Sequence, residues 1–180
     1  MAAKTEKPDA VALLKADHRK VEDLFEKFES AKSDSVKKTL AMQICTELSV
    51  HATIEEEIFY PACAGAIEED LLNEAYVEHD GAKVIIAELA DSGPENEFFG
   101  SKVKVLSEMI KHHVKEEEMR SEGMFAQARE AGLDMDALGE KMAARKRELL
   151  ADIKANGLPT PTTRSFTGHK LAQSQPVAAA

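Results

Sequence analysis

The chain has 180 residues, and 33 acidic residues against 23 basic ones give it a formal net charge of −10. Such a surface repels phosphate backbones and anionic lipids, so we expect neither a nucleic acid nor a membrane among its partners. Apolar residues make up 43% of the chain, aromatic residues only 5%, and glycine and proline are scarce. This composition is typical of an all-α protein and argues against a β-sandwich or barrel.

The N-terminal residues lack the apolar segment of a signal peptide, and no run of about 18 apolar residues could span a bilayer. We therefore expect a cytoplasmic protein. Cys45 and Cys63 are too few for a disulfide framework and lack the spacing of a zinc finger. We expect both to be small apolar side chains of the core.

The first two predicted helices each carry a histidine within an apolar stripe. Apolar residues recur every three or four positions after Asp9, a residue suited to cap a helix, and His18 lies among them. After a short break the same spacing continues until Pro61 and includes His51 and Glu55. The second stripe therefore holds a histidine and, four residues later, a carboxylate.

The third and fourth predicted helices repeat this pattern. The third carries His79 in its apolar stripe, and the fourth carries His113 and Glu117. In the fourth helix a shift of one residue puts His112 and Glu116 on a face that is nearly as apolar. Periodicity alone leaves both registers open.

A fifth helix is predicted to begin at Asp134 or Asp136 and to end at Asn156. Residues 158–180 show no periodicity and are rich in Pro, Thr, Ala and Gln, so we expect a flexible tail in which His169 is incidental.

These elements define an all-α fold with three parts. Four helices joined by short breaks form an up-down-up-down four-helix bundle, which we expect over residues 9–131. Residues 132–157 add a C-terminal helix that packs on or extends the bundle, and residues 158–180 form the tail.

The inward histidines and glutamates suggest a metal site. A histidine and a glutamate four residues apart lie about 6 Å apart on one helix face and can chelate one ion. A single inward histidine is more often a hydrogen-bonded core residue, but two carboxylates buried together without a cation would repel each other and be costly to desolvate. Only one member of each acidic run, Glu55–Glu57 or Glu116–Glu118, can face inward, so most of the others are expected to be solvated.

The donor types indicate which metal. Imidazole and carboxylate without thiolate suit iron or manganese better than a structural zinc ion, which needs only about four ligands. Six protein ligands suit two ions joined by an oxo or hydroxo bridge, with about two coordination positions left open. Open positions indicate small-molecule chemistry.

These residues resemble the hemerythrin HHE cation-binding domain over about residues 10–130. The resemblance rests on His18, on the run from His51 to Pro61, on Glu78-His79, and on His113-Val-Lys-Glu-Glu117-Glu118. It implies a helical bundle with a non-haem di-iron centre that binds oxygen. In bacteria, members of this family are associated with responses to oxygen, nitric oxide or peroxide and with iron handling. It also favours His113 over His112. The implied terminal ligands are His18, His51, His79 and His113, and the implied bridging ligands are Glu55 and Glu117.

The sequence departs from the family in two places. Oxygen-carrying hemerythrins have a second histidine four residues after the first on the third helix, where this chain has Lys83, and a protonated lysine cannot bind a metal. That position is therefore open or filled by another side chain, and the candidates by helix spacing are Tyr76, Glu78, Glu47 and Glu22. The end of the fourth helix also lacks the aromatic-proline pair that follows the second.

The expected function is binding of, or reaction with, a small diatomic molecule or peroxide at an open position of two iron ions, in an oxygen, oxidative or nitrosative stress response or in iron handling. Turnover stays undecided, although it would need proton delivery, for which Tyr76 or Glu78 are candidates. The alternative is an iron-sensing or interaction protein with a structural metal site and no turnover. We expect a monomer or a weak oligomer.

Overall fold

The computed structural model of the protein describes residues 9–168 and 171–172, and all regular elements in these residues are helical. None of the described helices is both long and apolar enough to cross a membrane. The helices are α1 (Ala10–Ser30), α2 (Asp34–Ile54), a π-helical turn (Glu55–Phe59), α3 (Tyr60–Cys63), α4 (Glu69–Ala90), α5 (Phe99–Glu118), α6 (Met124–Glu130) and α7 (Met135–Asn156).

Side-chain caps start three of these helices. Asp9 accepts a hydrogen bond from the Ala12 backbone N–H at 2.8 Å and caps α1, as predicted. Ser33 caps α2 in the same way. Asp134 caps α7, which begins at Met135, within the range predicted for the fifth helix. Each cap satisfies a backbone donor that the first helical turn leaves free.

Pro61 does not end the second helix, contrary to the sequence-based expectation. The π-helical turn follows α2 directly, and the chain remains helical until Cys63. Pro61 is tolerated because it lies in the first turn of α3, where a missing backbone donor costs little. In the π-helical turn the Tyr60 backbone N–H donates to the carbonyl of Glu55, five residues earlier.

The helices α1, α2, α4 and α5 form a four-helix bundle, as predicted. The helix α1 packs against α2 and α5, and α4 packs against α2 and α5, which closes the ring of antiparallel neighbours. The helix α7 packs against α1, α2 and the π-helical turn.

Two apolar clusters fill the bundle, and on α1, α2 and α4 the buried histidine lies between them along the helix. On α1, for example, His18 lies between Leu14 of the first cluster and Val21 of the second. The first cluster also includes Ile54, Phe59, Tyr60, Met124, Phe125 and Met142, and the second also includes Phe25, Phe28, Leu48, Ile86, Leu89, Phe99 and Leu106.

Both cysteines are buried and free, as predicted, and they belong to different clusters. Burial raises the pKa of each thiol, Cys45 and Cys63, to about 12. They therefore behave as apolar core side chains rather than as metal ligands.

The C-terminal residues differ from the expected flexible tail. Residues 158–165, which we call the C-terminal strap, are not helical but lie against the bundle. Leu158 packs on the second cluster, and Arg164 and Ser165 bond to Asp80 of α4. Periodicity could not reveal this because individual contacts, among them two backbone amides that donate to Asp80, hold the strap rather than a repeating apolar face. His169 lies outside the described residues.

Candidate metal centre

The six side chains proposed as ligands are all buried, each at most 6% exposed. They come from the middle of α1 and α4, from the C-terminal parts of α2 and α5, and from the π-helical turn. In the register of α5 it is His113 that faces inward, since the His112 side chain is 59% exposed and lies beside Glu116 at the surface. The residues are His18, His51, Glu55, His79, His113 and Glu117.

The four histidines form two pairs through their Nε2 atoms. His18 Nε2 lies 3.1 Å from His51 Nε2, and His79 Nε2 lies 3.1 Å from His113 Nε2. The first pair joins α1 to α2, and the second joins α4 to α5. The ligand atoms of one ion with bonds of about 2.1 Å lie about 3.0–3.4 Å apart, so each pair has the spacing of two ligands of one ion.

Glu55 and Glu117 each reach both histidine pairs. Glu55 Oε2 lies 3.1 Å from His51 Nε2 and 3.4 Å from His79 Nε2. Glu117 Oε2 lies 3.3 Å from His18 Nε2, and its Oε1 lies 3.5 Å from His113 Nε2. Two groups of potential ligand atoms result, each within 4.8 Å, and they share Glu55.

Three of the histidines are held from behind by a carboxylate on Nδ1. His18 Nδ1 lies 2.7 Å from Glu118, and His113 Nδ1 lies 2.7 Å from Glu78. A carboxylate only accepts hydrogen bonds, so each Nδ1 carries the proton and each Nε2 turns a lone pair inward.

The third such contact joins His79 Nδ1 to Glu56 at 3.0 Å. Glu56 and Glu118 are thus not simply solvated members of their acidic runs, as the sequence suggested. Each follows a proposed ligand by one residue, so the doubled glutamate of the motif is the signal that could have identified them.

His51 is the exception. Its Nδ1 lies 3.7 Å from Asp17 Oδ2, which is too long for a hydrogen bond, and neither atom has a hydrogen-bond partner within the described residues. The other oxygen of Asp17 bonds to Lys146 of α7. The helix α7 therefore contributes a cation behind this histidine.

Three carboxylate oxygens of the centre lack hydrogen-bond donors within the described residues. Both oxygens of Glu55 and Oε2 of Glu117 are buried without a hydrogen-bond partner in the described part of the chain. Burial and the charge of Glu117 raise the pKa of Glu55 well above its usual value. Burial opposes ionisation of Glu117 too, but His113 and His18 outweigh it and lower the pKa of Glu117. Inward lone pairs and buried carboxylates fit metal cations.

Tyr60 also faces the centre, although sequence reasoning did not select it as a ligand. Its fully buried hydroxyl donates to Glu117 Oε1 at 3.2 Å and lies 3.2 Å from His79 Nε2. Burial, Glu55 and Glu117 raise the pKa of this phenol well above its usual value, so it stays protonated in the metal-free protein. The sequence signal would have been an aromatic residue five positions after a glutamate, which a regular α-helix would not bring to the same face.

The four residues suggested for the missing histidine lie elsewhere. Glu78 bonds to the outer nitrogen of His113, and Tyr76 packs against the Tyr60 ring with 5.1 Å between ring centroids. Glu47 pairs with Lys20, and Glu22 pairs with Arg19. None of the four is among the potential ligand groups of the buried centre.

Lys83 points away from the ligand atoms. Its Nζ lies 2.7 Å from Glu56 Oε1 and 3.3 Å from Asp80 Oδ1. The position that holds a histidine in oxygen carriers is used here to support the carboxylate behind His79.

A cavity of about 490 Å³ leads to this centre. The four proposed histidine ligands contribute to its lining, together with apolar side chains such as Leu48, Ile86 and Ile110. Residues 159–162 and Arg164 of the C-terminal strap line it as well. The cavity is much larger than the roughly 30 Å³ that a water molecule occupies in the liquid.

The fold and the site define a helical bundle with a buried histidine and carboxylate centre suited to cations. The hemerythrin HHE cation binding domain matches residues 9–128, about two thirds of the chain. The protein belongs to this family and is a cation-binding protein, which confirms the resemblance seen in the sequence.

One solved structure and one curated protein are similar to this chain. The crystal structure of a hemerythrin HHE cation binding domain-containing protein from Mycobacterium kansasii superimposes with a TM-score of 0.67 at 23% identity, covering 84% of this chain and 95% of that one, which shows a shared fold. A protein called DNA nickase from Nostoc sp. (strain PCC 7120) is 27% identical over 106 residues, which are 59% of this chain. The match covers 30% of that relative's length.

Proposed function

We propose that the protein holds two iron ions at this centre and that they bind or react with oxygen, nitric oxide or peroxide at an open position. The observation that carries the proposal is the pairing of the four Nε2 atoms at 3.1 Å around two carboxylates that reach both pairs. A small oxidant reaches the ions through the cavity. The cellular role would be a response to oxygen, oxidative or nitrosative stress, or iron handling.

The donor set distributes naturally between two ions. His18 and His51 would hold one ion, His79 and His113 would hold the other, and Glu55 and Glu117 would bridge them as the sequence motif implies. Tyr60 lies beside the second pair and adds a donor there. If an oxo or hydroxo bridge completed two six-coordinate ions, about one position would remain open, at the ion held by His18 and His51.

The surrounding residues orient the ligand side chains for metal ions. Bound iron supplies the electrons that a small oxidant takes up. Glu118, Glu56 and Glu78 fix three imidazole rings with their lone pairs inward, which orients the ligands before metal binds. Imidazole, carboxylate and phenol without thiolate suit iron better than a structural zinc ion.

Elemental analysis of the purified protein together with its absorption spectrum tests this proposal. We expect about two irons per chain and bands of oxo-bridged ferric iron. His51→Ala should lose metal, whereas His112→Ala, which changes the exposed histidine next to His113, should retain it. One metal per chain, zinc, or no metal in the unaltered protein would contradict the proposal.

A second candidate function is iron sensing or a protein interaction with no turnover. It is favoured by the direct contact of the C-terminal strap with Asp80, which links the neighbourhood of the centre to the surface. Steady consumption of peroxide or nitric oxide by the iron-loaded protein would exclude this alternative. Stoichiometric binding without turnover would support it.

We do not transfer DNA nicking from the Nostoc relative, because the match covers 30% of that protein and the net charge of −10 opposes phosphate binding. We propose that the chain has no nucleic-acid or membrane partner and that it is a monomer or weak oligomer. Two free cysteines suit the reducing cytoplasm, where we propose that it acts.

A further inference from the structure

We propose that Lys83 is a positioning residue that ties the C-terminal strap to the metal centre, so that metal binding and strap docking stabilise each other. The inference rests on the metal-binding part of the proposed function and needs no redox activity. Three sets of contacts carry it: at the strap, at His79, and at the lysine that joins them.

Asp80 anchors the strap. Its side chain is fully buried, and its Oδ2 accepts hydrogen bonds from Arg164 N at 2.8 Å, from Ser165 N at 2.5 Å and from Ser165 Oγ at 2.7 Å. The Arg164 guanidinium also lies over the Tyr76 ring, 4.3 Å from its centroid. Burying a carboxylate is costly unless it is hydrogen-bonded, and the strap supplies three of the donors that offset this cost for Asp80.

Glu56 forms the contact with the metal centre. It receives the Nδ1 proton of His79 at 3.0 Å on one oxygen, and Lys83 Nζ donates to its other oxygen at 2.8 Å. An ion bound at His79 Nε2 requires the proton to remain on Nδ1, which strengthens the bond to Glu56. Metal binding thereby fixes the carboxylate that Lys83 holds.

Lys83 joins the two sets of contacts. The same ammonium group that binds Glu56 also donates to Asp80 Oδ1 at 3.3 Å, and its side chain is only 13% exposed. His79, Asp80 and Lys83 lie within one turn of α4, so a single rigid element carries the whole connection. One cation thus neutralises two carboxylates, one bound to a proposed metal ligand and one bound to the strap.

This connection bears on access to the centre, because strap residues and the histidines line the same cavity. A docked strap completes one wall of that cavity. Metal binding therefore favours the closed wall, and the closed wall favours metal binding by the same factor, since coupling between two equilibria is reciprocal.

Hydrogen exchange of the Arg164 and Ser165 amides, which donate to Asp80, tests the coupling in the full chain. Zn²⁺ is the probe because it needs no redox chemistry, and metal content is measured in parallel. In the unaltered protein we expect zinc to slow exchange at these amides about fivefold or more. In Lys83→Met the effect of zinc should disappear while zinc content is retained. Lys102→Met, which removes a lysine bonded to Glu88 of α4 outside this network, should preserve it.

Ser165→Pro provides a second test. It removes the Ser165 hydroxyl and one of the two strap amides that donate to Asp80, and it lies outside the helical bundle. We expect zinc affinity, measured by chelator competition, to fall by the same factor that zinc confers on strap protection. Equal zinc effects in Lys83→Met and the unaltered chain, or unchanged affinity in Ser165→Pro, would overturn the inference. A chain that binds no zinc would overturn it too, whereas one that binds zinc but shows no iron chemistry would contradict only the proposed function.

Discussion

Tyr60 and Glu55 face the same centre although they lie five positions apart in the sequence. The Tyr60 backbone N–H donates to the Glu55 carbonyl, and this π-helical bond places both fully buried side chains on one face. In a regular α-helix they would point about 140° apart. Insertions of this kind are frequent at functional sites, and here one brings a phenol to within 3.2 Å of His79.

Replacing Tyr60 by phenylalanine should change the metal centre without unfolding it. The aromatic ring and its packing on His79 remain, but the oxygen beside that ion is lost. We expect iron content to persist and a phenolate-to-ferric charge-transfer band to vanish from the visible spectrum. Tyr76→Phe is the matched control, since that hydroxyl is not among the hydrogen-bond partners of the centre. Identical spectra of Tyr60→Phe and the unaltered protein would show that the phenol is not a ligand.

Loss of the carboxylate behind His18 should weaken metal binding. Glu118→Ala frees the imidazole ring to rotate and removes the partner of its Nδ1 proton. Substitutions of this type lower metal affinity about 10- to 100-fold. Competition with a chelator measures the change, and Glu57→Ala serves as a control because Glu57 pairs with Arg145 at the surface. Equal losses in both variants would indicate a general effect of removing negative charge.

The histidines could be located from the sequence because an amphipathic helix repeats regularly. A polar residue within an apolar stripe, such as His18 or His79, must point inward wherever the helix packs, and the structure places both side chains in the interior. The same rule left His112 and His113 undecided. That ambiguity is removed by packing of the whole helix α5, which leaves His112 exposed.

The remaining features depend on interactions that periodicity does not contain. The inward position of Tyr60 depends on the π-helical insertion, and the contact of Glu118 with His18 depends on the approach of α1 to the end of α5. The C-terminal strap has no repeating pattern because it is anchored on Asp80 by two backbone amides and one hydroxyl. Such contacts join residues about 85 to 100 positions apart and arise only once the chain is folded.

Gly123 should not tolerate a side chain. A Cβ atom there would lie 2.6 Å from the backbone nitrogen and oxygen of Met119 and 2.7 Å from the carbonyl oxygen of Glu116. The tight turn lets α6 place Phe125 against His18, with 5.9 Å between the ring centroids. Gly123→Ala should therefore destabilise the protein by about 1–3 kcal/mol, as overpacking does. Urea unfolding measures it, and Gly100→Ala is the control because nothing lies within 4 Å of a Cβ there.

The metal-free protein should become more stable as the pH falls from 7.5 towards 5. Burial and Glu117 raise the pKa of Glu55 well above its usual 4.5, so folding favours its protonated form. Its contribution to stability is complete below pH 4.5 and is lost as the pH rises through the folded-state pKa. The pKa of His113 is also raised: burial opposes this, but the charge of Glu117 and the hydrogen bond that His113 donates to Glu78 outweigh it. This second contribution is likewise lost on raising the pH.

Calorimetry of metal-free protein at several pH values checks this dependence, with a gain of about 2–4 °C in Tm for each kcal/mol. Glu55→Gln mimics the protonated acid, so it should raise Tm at pH 7.5 and flatten the profile. The metal-loaded protein should show the opposite trend, because protons compete with the metal for Glu55 and His113. Parallel profiles for the metal-free and metal-loaded forms would mean that these groups do not titrate in competition with a cation.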